Sequence, residues 1–286
     1  MYEAPKKTQD HLADRLQDDA MPLIMGVLNV TPDSFSDGGR FLATDRAVRQ
    51  AEQMFAMGAD IIDVGGESTR PGAAPVDVQD ELHRVVPVVE AIARKRLGAI
   101  SVDTSKPAVM AAAVEAGAAM INDVWALRRP GALRTAASLN VPVCLMHMQG
   151  EPETMQHAPH YADPVDEVCA FLSARADACL QAGIASSQIV IDPGFGFGKT
   201  LTHNLGLLNG LDRMTALGFP VLAGLSRKSM IGELTGKPVD QRLIGSVLLA
   251  ALAVKNGARI VRVHDVAETR EALTILQAVN TLQSQQ

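Results

Sequence analysis

The chain has 286 residues, a formal net charge of −6, and 47% hydrophobic, 20% charged and only 3% aromatic residues. That apolar content supports a packed core and excludes wholesale disorder, while 23 glycines and 15 prolines are close to average usage and exclude collagen-like or low-complexity sequence. Few aromatics and no basic stripe leave no footprint for nucleic acid.

From the N-terminus, Lys6 and Lys7 are followed by acidic and polar residues up to Ala20, with no apolar signal-peptide core. No apolar run approaches the roughly 20 residues that span a bilayer. Residues 1–20 are therefore expected to be a poorly ordered extension and residues 21–286 a single domain, cytoplasmic and without membrane association. Next comes the apolar run 23–30, then a helical pattern over 43–58. The alternation continues with run 60–65 and helix 78–96, run 99–104 and helix 106–117, and run 120–124 and helix 132–139. It goes on with run 141–147 and helix 164–183, run 189–193 and helix 201–218, run 220–226 and helix 241–257, and run 259–265 before a last helix.

Most runs are continuously apolar, as strands buried on both faces should be. Helix ends agree with this division. Asp163-Pro164 reads as an N-cap with proline in the first turn, Asp265 with Glu268 as a capping box, and five glycines (58, 117, 183, 218 and 257) as helix stops. Strand and helix repeated eight times is the arithmetic of a single-domain α/β (β/α)8 barrel. A doubly wound sheet is the alternative, but no G-x-G-x-x-G follows the first strand. Cys144 falls in a strand and Cys169 and Cys179 in a helix, with no zinc-ligand spacing, so all three are expected to be free thiols of a reducing compartment.

In such a barrel the C-terminal strand ends face the active site. Here those ends are polar: Asn29, Asp63 with Glu67, Asp103, Asn122 and Asp123, His147, Asp192, Ser226 with Arg227 and Lys228, and Arg262 with His264. One buried polar group can belong to a structural network, but a set at every strand end points to a site. Asp63 and Asp123 are the members best suited to structural work. Two loops, 31–39 and 65–72, combine turn formers with hydroxyls and Arg70, a composition that can present donors to an anion. His157, His160 and His203 lack metal-ligand spacing and read as surface or capping residues.

Taken together, these segments resemble dihydropteroate synthases. Residues 25–39, MGVLNVTPDSFSDGG, are similar to that family's first signature, and residues 63–72, DVGGESTRPG, to its second. Further matches are SVDT at 101–104, INDV at 121–124, DPGFGFGK at 192–199, GLSRKS at 224–229 and RVHDV at 262–266. The resemblance runs in order through most of the chain, without departure at a motif position.

The resemblance implies condensation of a dihydropterin methyl diphosphate with p-aminobenzoate, on an SN1-like course assisted by Mg²⁺. It implies that Asp103, Asn122 and Asp192 hold the pterin edge, with Lys228 donating to the ring and Met146, Phe197 and Gly224 lining its pocket. Asn29 resembles the Mg²⁺ ligand, and Arg262 and His264 the diphosphate clamp. Thr69 and Arg70 match positions that touch the diphosphate or organise the closed site, and Phe35, Pro71 and Ser226 match the aminobenzoate pocket, where sulfonamides compete. The family is usually dimeric through its last helices, here the Ala/Leu-rich 243–254. Three other readings remain at this point: a corrinoid-dependent methyltransferase sharing the pterin barrel, a silent pterin-binding paralogue, and a Schiff-base aldolase using Lys228.

Overall fold

The computed structural model describes residues 12–18, 21–31, 40–68, 74–151 and 154–283. Among these, eight parallel strands form one sheet: β1 (Leu23–Asn29), β2 (Ile61–Gly65), β3 (Ala99–Asp103), β4 (Met120–Asp123), β5 (Val143–Met146), β6 (Ile189–Asp192), β7 (Leu222–Ala223) and β8 (Ile260–Val263). Neighbours pair in chain order from β1 to β6, and β1 also pairs with β8, which pairs with β7. A bridge between Ile191 and Val221 brings β6 to β7 and completes the ring. The fold is a (β/α)8 barrel.

Side chains alternate along each strand. One set faces the helices, including Ile24, Leu28, Ile62, Ile100, Ile121, Leu145, Ile191 and Val261, all fully buried. The other set faces the barrel axis. Its lower layer takes an apolar residue from every strand: Leu23 and Met25, Ile61, Ala99, Met120, Cys144, Val190, Leu222 and Ile260. Two residues further along the strands, the same inward register holds Asp63, Ser101, Asn122, Met146, Asp192, Gly224 and Arg262. The period of two thus places polar groups above an apolar floor.

That floor is closed from below by α1 (Leu12–Gln17), which lies within the stretch expected to stand outside the barrel. A six-residue helix is not stable alone. Leu12 and Leu16, one turn apart, are buried in the floor, each contributing about 1.5–3 kcal/mol. Arg15 pairs with the buried Asp60 at 2.6 Å, Arg270 meets the same carboxylate, and Arg259 donates to the Arg15 carbonyl at 2.6 Å.

The outer helices are α2 (Arg40–Ala56), α3 (Val78–Lys95), α4 (Pro107–Glu115), α5 (Ala132–Leu139), α6 (Pro164–Gln181), α7 (Leu201–Asn209), α8 (Leu211–Thr215), α9 (Ser229–Thr235), α10 (Leu243–Lys255) and α11 (Val266–Gln283). Asp163 caps α6 by accepting from the N–H groups of Val165 and Asp166 at 2.8 and 3.0 Å. All five glycines read as helix stops have positive φ. The pattern over 201–218 is two helices rather than one. The break falls at Gly210, where a Cβ would stand 3.0 Å from Val165 of α6, a tight approach that the bare glycine avoids. Cys144 and Cys179 are buried and Cys169 is half-buried, and all three are free.

Candidate active site

The polar inward layer converges on a pocket at the C-terminal end of the barrel. Its floor is a charge network. Arg262 of β8 donates through Nε to Asp63 Oδ2 at 2.7 Å and through Nη2 to Asp103 Oδ2 at 2.9 Å. Asn122 of β4 donates to the same Asp63 oxygen at 3.0 Å. Asp63 is fully buried, so its carboxylate works by holding Arg262 and Asn122 in place. Asp123, next to Asn122 but facing outward, accepts from the N–H groups of Trp125 and Leu127 at 2.9 and 2.8 Å. It shapes the turn after β4.

On the opposite wall, Asp192 ends β6 and accepts from the Gly194 N–H at 2.7 Å. Lys228 follows β7. Its ammonium donates to the Phe195 carbonyl at 2.7 Å and lies 4.2 Å from the centre of the Phe197 ring. Met146 packs with Val124, Met148, Met155 and Phe197 into an apolar side wall. At the rim, His264 Nδ1 lies 3.0 Å from Ser226 Oγ. A Cβ at Gly65 would stand 3.7 Å from Asp103 Oδ2 and 3.8 Å from Asn29 Oδ1, so the bare backbone at Gly65 leaves a cradle between these two oxygens. Among the described residues, no three His, Cys, Asp or Glu side chains group as a metal cage.

Ten of the expected site residues therefore share one pocket: Asp103, Asn122, Met146, Asp192, Phe197, Gly224, Ser226, Lys228, Arg262 and His264. Asn29 stands at the edge, across Gly65 from Asp103. Phe35, Thr69, Arg70 and Pro71 lie outside the described residues. Glu67 does not face the pocket. Its Oε1 accepts from Val76 N–H at 2.8 Å and its Oε2 from Lys106 at 2.7 Å, and Lys106 also meets the fully buried Glu81. These ties hold the base of the second loop against α3. His203 caps α7 by reciprocal bonds with Thr200, as its placement in the sequence suggests.

Sequence reading missed Lys199, which is 4% exposed. Its ammonium reaches His147 Nδ1 at 3.0 Å and the Gly194 and Phe197 carbonyls at 2.9 Å each. His147 faces outward from the end of the fifth apolar run, against Phe171 and Tyr161. A lysine closing a glycine-rich motif was the available signal, but its partners are not readable from the motif.

The electrostatics follow from burial. Burial, followed by the neighbouring Asp63 charge, pushes the Asp103 carboxyl up to about 7 even though Arg262 opposes the shift. Burial lowers the tendency of Arg262 to stay charged, but Asp63 and Asp103 outweigh it and hold the guanidinium above its usual range. Asp192 is raised by burial against the Gly194 N–H and Lys228. Burial brings Lys228 down to about 8, with Asp192 opposing.

A carboxyl raised in the fold is favoured there in its protonated form. From the ordinary value of 3.8 up to about 7 the unfolded chain has lost this proton and the folded chain keeps it, so stability falls as pH rises through that window. Asp103→Asn cannot ionise and should lose this slope. Its melting temperature relative to wild type is expected to increase from about pH 5 to about pH 7.5. A constant offset at both pH values would show that Asp103 is ionised throughout.

The pterin binding enzyme family matches residues 25–264. Dihydropteroate synthase of Haemophilus influenzae is 55% identical over 259 residues, covering 91% of this chain and 94% of that protein. The Escherichia coli K12 dihydropteroate synthase is 54% identical over 90% of this chain and 91% of its own length. Among solved structures, the Yersinia pestis dihydropteroate synthase in a sulfonamide drug complex superposes with a TM-score of 0.88 at 52% identity, covering 92% of this chain and 96% of that one. The Xanthomonas albilineans enzyme in complex with 7,8-dihydropteroate gives 0.85 at 50% identity, covering 94% and 98%. A barrel with these strand-end residues, matched nearly end to end at this identity, belongs to the dihydropteroate synthase family of pterin binding enzymes.

Proposed function

We propose that the chain condenses (7,8-dihydropterin-6-yl)methyl diphosphate with 4-aminobenzoate to give 7,8-dihydropteroate and diphosphate. The carrying observation is one pocket with carboxylate and amide groups and Arg262 on its floor, an apolar side wall, and His264 toward its rim. A flat pterin edge offers N–H donors, which suit the oxygens of Asp103, Asn122 and Asp192. Lys228 donates to the ring acceptors, and Met146 and Phe197 cover the ring face. The Phe197 ring already carries the Lys228 ammonium against it, so one lysine serves both the wall and the ring edge.

Arg262 uses only its Nε and Nη2 groups on Asp63 and Asp103. Its remaining N–H groups suit a diphosphate oxygen, and His264, next to the start of α11, adds a donor where the helix N-terminus favours an anion. Thr69 and Arg70 of the second loop complete the clamp, and Phe35, Pro71 and Ser226 border the aminobenzoate. An aniline amine is neutral at pH 7, so the chain needs no strong general base. Its contribution is positioning and charge stabilisation as the C–O bond breaks.

Asn29 beside the bare backbone of Gly65 would hold Mg²⁺: its Oδ1 is a neutral oxygen donor, and Mg²⁺ takes one or two protein oxygens while keeping waters and substrate phosphates. The Asp103 oxygen across the glycine is already engaged by Arg262. When bound, Mg²⁺ supplies charge neutralisation for the departing diphosphate.

The test is diphosphate release from the dihydropterin substrate with Mg²⁺, with and without 4-aminobenzoate. Release that requires 4-aminobenzoate and yields dihydropteroate in step supports the reading. Pterin binding without turnover, or turnover that needs a corrinoid, overturns it.

The partner is a second copy of the chain, and the compartment is the cytoplasm. Among the described residues no helix is long and apolar enough to cross a membrane. Adjacent helices α10 and α11 expose a shared apolar face: Ile244 and Leu248, one turn apart, are 72% and 57% exposed, and Ile275 and Val279 are 60% and 51% exposed. Wild type is expected to sediment as a dimer and Ile244→Glu/Leu248→Glu as a monomer with an unchanged barrel. A monomeric wild type would remove this assignment.

A further inference from the structure

The loop joining β6 to α7 has an unusual requirement. Its backbone turns through three left-handed glycines, Gly194, Gly196 and Gly198, with φ of 65°, 80° and 60°. At Gly194 a Cβ would stand 1.9 Å from the His147 carbonyl oxygen, so the loop lies directly against the residue that follows β5. This conformation turns five consecutive carbonyls toward protein donors. Gln156 donates to Gly196 O at 2.5 Å, Tyr161 to Gly198 O at 2.9 Å, and Lys228 to Phe195 O at 2.7 Å. The other two carbonyls, of Gly194 and Phe197, both accept from Lys199.

An ammonium has three donors and no acceptor. Lys199 spends them on two carbonyls of its own loop and on His147 Nδ1, with the His147 carbonyl at 3.4 Å. Burial brings the Lys199 amine down to about 7, with Asp192 opposing; in its ammonium form it can only donate, and His147 is then the neutral tautomer that accepts at Nδ1. Burial and the Lys199 charge hold the imidazole down to about 3, in keeping with that tautomer. No carboxylate touches Lys199 among the described residues, so carbonyl dipoles and one imidazole satisfy a buried charge that is costly to leave unpaired.

We propose that Lys199 is a positioning residue for the pterin subsite. Its ammonium pins the 194–198 loop to the end of β5, and so sets the Gly194 N–H that orients Asp192 and the Phe195 carbonyl that receives Lys228. Two groups assigned to the pterin edge thus depend on one lysine that does not line the pocket. An arginine does not replace it, because a planar fork cannot fill a three-cornered set of acceptors.

This inference rests on the pterin reading, and the experiment separates the two. The probe is (7,8-dihydropterin-6-yl)methyl diphosphate with Mg²⁺ and no 4-aminobenzoate, titrated calorimetrically into full-length wild type, Lys199→Met, Lys228→Met and the double variant. No binding to wild type defeats the reading of the site itself. Given wild-type binding, Lys199→Met is expected to weaken it about 10- to 100-fold, the scale of a lost charge-assisted hydrogen bond. The KM for 4-aminobenzoate at saturating pterin should stay within about twofold, because that substrate does not contact the loop groups Lys199 sets.

The two lysines should also be coupled. Lys199→Met should cost less in the Lys228→Met background, because the Phe195 carbonyl it places then has no ammonium to hold and only the route through Gly194 and Asp192 remains. Tyr161→Phe, which frees the far end of the same loop, should weaken pterin binding less than about threefold. Unchanged pterin affinity in Lys199→Met, independent losses in the double variant, or an equal rise in both KM values overturns the proposal. Lys199→Gln, with two donors and no charge, is read by the same criteria if Lys199→Met does not fold. Failure of both to fold makes Lys199 a purely structural residue and also overturns it.

Discussion

Asp192→Ala is expected to lower kcat/KM for the pterin substrate by about 10³- to 10⁴-fold while the protein still melts cooperatively. A site built to hydrogen-bond a polar edge loses about 10⁴- to 10⁵-fold when such a pairing is left unmade, and Asp192 is one of three groups that share this edge. It sits at the inward end of β6, 6% exposed, with one oxygen taken by the Gly194 N–H. Its burial raises the carboxyl against the opposing Lys228 charge, so removing it relieves a desolvation cost as well as deleting a contact. The fold therefore loses little. Asp192→Asn sharpens the test: its amide oxygen can still accept from Gly194, while its NH₂ presents donors to a donor edge. It should melt like wild type and fail nearly as badly as alanine in steady-state kinetics. Retention of more than about a tenth of wild-type kcat/KM by either variant would take Asp192 out of the pterin contact.

Arg262→Met is expected to damage both stability and activity. Without the guanidinium, Asp63 and Asp103 are left with no cation between them, and Asp63 is fully buried. Removing one partner of a buried ion network costs about 3–5 kcal/mol, and at about 2–4 °C per kcal/mol the melting temperature should fall by roughly 6–20 °C. The loss should depend on pH in a definite direction. Arg262 is the charge that opposes the upward shift of Asp103. Without it the carboxyl rises further, and the variant goes on losing stability with rising pH beyond the window where wild type levels off. Melts at about pH 5 and about pH 8 should show the smaller gap between variant and wild type at the lower pH. An equal gap at both would mean that Arg262 acts by packing rather than by charge. Arg262→Lys keeps a cation but not the two-pronged reach to Asp63 and Asp103, so it should recover part of the stability and little of the diphosphate chemistry.

Much of the fold and site is legible in the chain because it is written in short-range patterns. Eight apolar runs separated by helical patterns, Asp163-Pro164 at the start of α6, and glycines where helices stop are all properties of neighbouring residues. Polar residues at the C-terminal strand ends carried the reading to the site, and the pleat of the strands explains their placement. Ile61 to Asp63, Met120 to Asn122, Val190 to Asp192 and Ile260 to Arg262 each pass from floor to pocket in one step of the pleat.

Other features depend on residues far apart in the chain and have no local signature. Arg262 is 199 residues from Asp63 and 159 from Asp103, so only barrel closure shows that one guanidinium serves both. Leu12 and Leu16 look like any exposed amphipathic turn until the eight-strand floor is assembled above them. Gly210 reads as a tolerated helix glycine until Val165 of α6 is packed against it. Lys199 reads as the end of a glycine-rich loop, and only the fold sets it 52 residues along the chain from His147 and within 3.0 Å of its ring. By itself the sequence determined the strands, their polar ends and the family those ends resemble, because backbone periodicity is local. The tertiary structure alone decided which charges share a partner, because in a closed barrel those pairings are made across the axis between strands that the chain keeps far apart.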